Sequence, residues 1–156
     1  MRTRKLRAIL GLLAFTLGLT LVSSSLLFPW VSMDLELTGR VFVRKGYEVA
    51  PYAPILAVAI ALSGVVHSRV HGNRDVSLVA LLVAGVGIVL FAAFVGERLE
   101  QRDMEFFDLQ DIQVRVVNLS VGFTMFIAGG MLFFVAAYAE YASGHDPERR
   151  RKRRHG

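Results

Sequence analysis

Four stretches of the chain carry no charged residue, at 8–33, 49–66, 76–96 and 116–139, and they are 26, 18, 21 and 24 residues long. A hydrocarbon core of about 30 Å is crossed by roughly 20 helical residues, within a range of about 17–25. Apolar residues run on in these stretches without the strict alternation of a membrane-spanning strand. Lipid cannot satisfy exposed backbone N–H and C=O groups, so helices are the spanning solution that remains. The pattern predicts an all-α membrane protein: a four-helix transmembrane bundle with spans near 8–31, 49–66, 76–96 and 116–139. Residues 1–141 then form the membrane domain and 142–156 a basic tail.

The first span is expected to run to about Trp30, with Pro29 absorbed near its end and Trp30 anchoring the membrane interface. A cleaved signal peptide is the competing reading, since Arg2, Arg4, Lys5 and Arg7 precede the apolar run and Ser23–Ser25 offer small residues. The run continues through Leu26, Leu27 and Phe28, past the 7–15 residues of a signal core, which favours a retained span.

The segment after it has a period of two. Leu35, Leu37, Val41 and Val43 alternate with Asp34, Glu36, Phe42 and Arg44. A three-residue turn at Thr38, Gly39 and Arg40 would set Leu37 opposite Val41 and Leu35 opposite Val43, with Asp34 across from Arg44. The four apolar residues then share one face, expected to cover either the helix mouths or a partner. Ile112, Val114 and Val116 alternate in the same way, and predict a third strand on the same small extracytoplasmic sheet. Between them, 97–109 mixes charge with Leu99, Phe106 and Leu109 at helical spacing, as an extension of the third span or an interfacial helix.

Association of helices in lipid relies on close packing of small residues. Candidate stripes are Gly11, Ala14 and Gly18 in the first span, Ala53, Ala57 and Ala61 in the second, and Ala80 and Ala84 in the third. Gly85 and Gly87 lie beside the third stripe. The fourth is Ser120, Thr124 and Ala128, followed by Gly129 and Gly130, with the two hydroxyls available for bonds across helices. Any of these stripes could instead face a second copy of the chain.

Charge sets the orientation. Segments 1–7, 67–75 and 140–156 hold 12 of the 18 Lys and Arg residues and four acidic ones; 34–48 and 97–115 hold six basic and nine acidic. Basic residues near span ends stay on the cytoplasmic side, which predicts a cell-membrane protein with both termini in the cytoplasm. The basic run Arg149, Arg150, Arg151, Lys152, Arg153 and Arg154 is expected to contact anionic lipid rather than nucleic acid.

Little of this sequence carries chemistry. His67 and His71 have the i, i+4 spacing of zinc helices, but Ser68 follows His67 where the zinc motif has glutamate. They read as an exposed interfacial pair. Glu97, Glu100, Asp103, Glu105, Asp108 and Asp111 lack the spacing and glycine of a calcium loop and read as a solvated face. The charge-free runs lack the intramembrane ionisable groups that mark coupled transport. No catalytic, cofactor or metal site is expected.

The run 26–31 (Leu26, Leu27, Phe28, Pro29, Trp30, Val31), the residues Gly46, Tyr47, Pro51 and Tyr52, and the pair Gly129 and Gly130 resemble a broad group of uncharacterised small prokaryotic four-helix membrane proteins. The layout is also similar to the claudin-like architecture, with inner termini and a patterned first outer loop. The Trp-Leu-Trp and paired-cysteine signature of claudins is missing, so no functional residue carries over. The function expected is that of a non-enzymatic accessory subunit or envelope scaffold, working through a membrane-protein partner or self-association. A small transporter or oligomeric channel is the alternative, for which Ser63, Ser120 and Thr124 would have to line the pore.

Overall fold

The structure, a computed structural model, describes residues 2–35, 41–100 and 114–144. Four long helices, α1 (Arg2–Ser25), α3 (Tyr52–His71), α4 (Arg74–Glu100) and α5 (Val121–Gly144), are each long and apolar enough to cross a membrane. A short α2 (Gly46–Val49) and three strands, β1 (Pro29–Leu35), β2 (Val41–Lys45) and β3 (Val114–Leu119), gather at one end.

Close approaches give the helix directions. Gly11 of α1 lies against Ala139 of α5, and Gly18 against Gly129 and Phe133, so α1 and α5 run antiparallel. Gly85 meets Phe134 while Ile88 meets Gly130, so α4 and α5 do too. Gly64 abuts Ala80 and Val76 across the tight α3–α4 turn, where Gly72 ends α3 at φ 69°, a left-handed conformation that glycine adopts without strain. The result is an up-down bundle in which α5 sits between α1 and α4, and α3 packs chiefly on α4. One end holds the start of α1, the α3–α4 turn and the end of α5. The other holds the strands.

The core runs through Ala14 and Val22 of α1, Ala57 and Ala61 of α3, Leu81, Ala84 and Ile88 of α4, and Phe126 and Phe133 of α5. The outward faces are also apolar, with Leu13, Leu17, Leu56, Val66, Val83, Leu90, Met131 and Val135 exposed.

The first span differs from expectation. Its helix stops at Ser25, and Pro29 begins a strand. In a continuous helix residue 29 would donate its N–H to the Ser25 carbonyl, but proline has no N–H and its ring would strike that carbonyl. The residue before a proline is also driven out of the helical region. The Ser25 carbonyl instead accepts the indole N–H of Trp30 at 2.8 Å. The fourth helix also starts later than expected. Residues 116–119, expected inside the span, pair with β1, so Asn118 lies on the sheet opposite Ser32.

The sheet is antiparallel with order β2-β1-β3, so the predicted third strand is present, but the hairpin register is not the expected one. Asp34 pairs with Val41, Ser32 with Val43 and Val31 with Arg44, a slip of three residues. Leu35 pairs with Val114 on the other side of β1. An odd slip exchanges the faces of a strand. Leu37 and the expected turn at Thr38, Gly39 and Arg40 lie outside the described residues.

Candidate functional site

Trp30 organises the strand end. Pro29 pairs with Lys45 and Val31 with Arg44, which leaves Trp30 as the extra residue of a bulge on β1. A bulge re-aims a side chain, and here both Trp30 and its neighbour Val31 are fully buried. The indole packs on Phe126 at 5.1 Å between centroids, edge-on to Phe123 at 5.5 Å, and near Phe91 at 6.3 Å. Gly46 and Gly122 close around it; a Cβ on either would collide with the indole or with nearby backbone carbonyls. Backbone bonds complete the joint: Ser120 N–H donates to the Trp30 carbonyl at 2.8 Å, and Gly46 N–H to the Phe28 carbonyl at 3.2 Å. The sheet is therefore fixed to the bundle through α1, α4 and α5. Trp30 is a buried anchor between elements, where the sequence suggested an interfacial one.

Of the four residues expected to form one apolar face, Leu35 pairs with Val114 rather than with Val43, and Leu37 lies outside the described residues. Val41 and Val43 are 63% and 46% exposed on β2, a strand at the edge of the sheet. They do not cover the helix mouths; Trp30 and Val31 do. Arg44, expected across from Asp34, pairs with buried Val31, and its Nε is itself buried.

In the packing stripes of the first three spans, Ala14, Gly18, Ala57, Ala61, Ala84 and Gly85 are buried, Gly11, Ala53 and Ala80 are half-buried, and Gly87 is exposed. The fourth stripe is placed differently. Thr124 and Ala128 are exposed, Ser120 precedes the helix, and the Thr124 hydroxyl bonds the Ser120 carbonyl of its own turn at 3.5 Å. The inward face of α5 carries Phe123, Phe126, Gly129, Gly130, Phe133, Ala136 and Ala137. Its phenylalanines need room, and glycine supplies it. A Cβ at Gly18 would lie 3.0 Å from the Phe133 ring, and one at Gly85 3.0 Å from the Phe134 ring.

His67 and His71 stack at 4.2 Å between ring centroids, exposed near the α3–α4 turn. Among the described residues no group of three or more His, Asp or Glu side chains is arranged to hold a metal ion. His145, His155, four of the six acidic residues of the second outer segment and the basic run Arg149–Arg154 lie outside the described residues.

No protein-family profile matches this chain, and no curated protein does. The reading of its role therefore rests on its own residues. One feature the sequence did not signal is a cavity at the turn end, lined by Arg7, Arg69, Arg74 and Glu140. Arg69 and Arg74 flank the α3–α4 turn, while Arg7 and Glu140 come from helix ends far from them in the chain.

Proposed function

We propose that the chain crosses a membrane four times with both termini in the cytoplasm, and acts without catalysis through contacts of its strand end with another membrane or envelope protein. Three observations support the membrane part. All four helices expose large apolar residues along their middle stretches, among them Leu13 and Leu17, Ile55 and Leu56, Val83 and Leu90, and Met131 and Val135, a surface that water-soluble monomers rarely leave open. The helices have the length the hydrocarbon core requires; the 20 residues of α3 span about 30 Å. The start of α1, the α3–α4 turn and the end of α5 share one end of the bundle, and the sequence is richest in Lys and Arg beside these three helix ends.

The observation that carries the contact role is the strand end itself. It is fixed to the helices by the Trp30 joint, yet it turns Val41 and Val43 outward on an edge strand. An edge strand that exposes apolar side chains offers a partner both unpaired backbone groups and an apolar surface. The packed core layer of Phe126, Phe133, Ile88 and Ala61 favours this reading over conduction through a single copy.

The test is site-specific photocrosslinking in native membranes with the crosslinker at Val43, and at Leu90 on the outward face of α4 as comparison. Val43 should give a discrete protein adduct that disappears in a Val41→Asp chain, while Leu90 gives lipid adducts. Lipid adducts alone from both positions would remove the contact role.

A further inference from the structure

A cavity of about 390 Å³ opens at the turn end, enclosed by all four long helices. Among the described residues, Arg7 of α1, Arg69 of α3 and Arg74 of α4 line it, against one lining carboxylate, Glu140 of α5. Glu140 reaches Arg69 at 3.8 Å and leaves an excess of positive charge around the mouth. Asp75, next in sequence to Arg74, lines a different groove, between α3 and α4. Deeper on the same wall is Ser77, 1% exposed, whose hydroxyl has no hydrogen-bond partner among the described residues. Buried hydroxyls are normally paired, and one left unpaired beside a cavity is a donor awaiting an acceptor. Ser77 also belongs to the first turns of α4, whose positive dipole end favours an anion. The floor is apolar, formed in part by Phe15 and Leu81.

We propose that this cavity binds a phosphate ester, with Arg7 and Arg74 holding the phosphate oxygens, the Ser77 hydroxyl donating to one of them, and the apolar floor receiving the esterified carbon chain. Guanidinium groups match phosphate oxygens two at a time, and Glu140 keeps Arg69 oriented at the rim. The same chemistry is presented by the headgroup of an anionic phospholipid and by a soluble phosphate ester. The site is independent of any partner at the strand end.

The test uses the full chain in neutral detergent, with Arg149–Arg154 changed to glutamine throughout so that the tail does not compete. Thermal unfolding is followed during titration with short-chain phosphatidylglycerol, and separately with glycerol 3-phosphate. Saturable stabilisation by at least one probe is expected, weakened about tenfold or more by Arg7→Gln with Arg74→Gln. Ser77→Ala should have effects of opposite sign. The ligand-free melting temperature rises, because an unpaired buried hydroxyl is gone, while affinity for the probe falls. Phosphatidylglycerol binding that glycerol 3-phosphate does not match identifies a lipid, and equal binding identifies a soluble ester. Absence of saturable binding by both probes overturns the site. So does a Ser77→Ala chain that binds as tightly as the parent, a result readable even if the double arginine variant fails to fold.

Discussion

Trp30 does work that a phenylalanine could not. Its ring fills the space between Phe91, Phe123 and Phe126, and its N–H occupies the carbonyl that Pro29 leaves without a donor. Trp30→Phe keeps most of the packing but leaves the buried Ser25 carbonyl unpaired, which should cost about 1–3 kcal/mol in denaturant unfolding in detergent. Trp30→Ala also opens a cavity and should cost about 3–5 kcal/mol. Because Trp30 is the chain's single tryptophan, its fluorescence reports this site directly. Emission should be blue-shifted and protected from iodide in the native protein, whereas a tryptophan at the membrane interface would be quenched. The sequence contained the signal for this residue in the distance from Ser25 to Pro29. The expectation that Pro29 is absorbed near the end of a longer helix concealed it.

At the scale of elements, legibility depended on whether a pattern had a phase. The small-residue stripes of α1, α3 and α4 stand out against larger neighbours, and most of their residues are buried or half-buried. Helix α5 is apolar nearly all round, and such a helix offers no phase from hydropathy alone. Its inward face was set by the space its neighbours leave at Gly18 and Gly85, a fact no single segment contains. A pair of substitutions one residue apart tests that face. Gly129→Val would place its Cβ 2.9 Å from the Gly18 backbone carbonyl, so the helices themselves must part; a loss of about 1–3 kcal/mol or more is expected. Ala128→Val lies on the exposed side and should change stability by less than about 0.5 kcal/mol. Equal losses in thermal unfolding would return α5 to its sequence-based phase. The strands show the same division. Alternation revealed that they exist, while register depended on turn length and on the Trp30 bulge, neither of which alternation encodes.

For the whole molecule, the number of long helices and the grouping of their ends followed from charge-free runs and the distribution of arginine. The cavity and the strand-end joint did not, because each assembles residues from several helices. In the four-span reading, a reporter fused after Gly156 should be active only in the cytoplasm, and one inserted at Gly39 only on the opposite side. A Gly156 fusion found outside would reverse the orientation and place the arginine-lined cavity on the outer surface.

The close pairing of α1 with α5 also has a consequence in time. The glycine faces of α1 fit a helix that the ribosome makes about a hundred residues later, and β1 likewise receives β3 only then. At about 5–20 residues per second, α1 waits roughly 5–20 s before its partner exists. Throughout that interval Gly11, Ala14 and Gly18 are open to any other small-faced helix nearby. The hairpin of α3 and α4, joined through Gly72, can close at once. Assembly thus begins in the middle of the chain and ends by uniting its two outer helices, and a nascent chain arrested before residue 121 would present the unfilled groove of α1 to the quality-control machinery of the membrane.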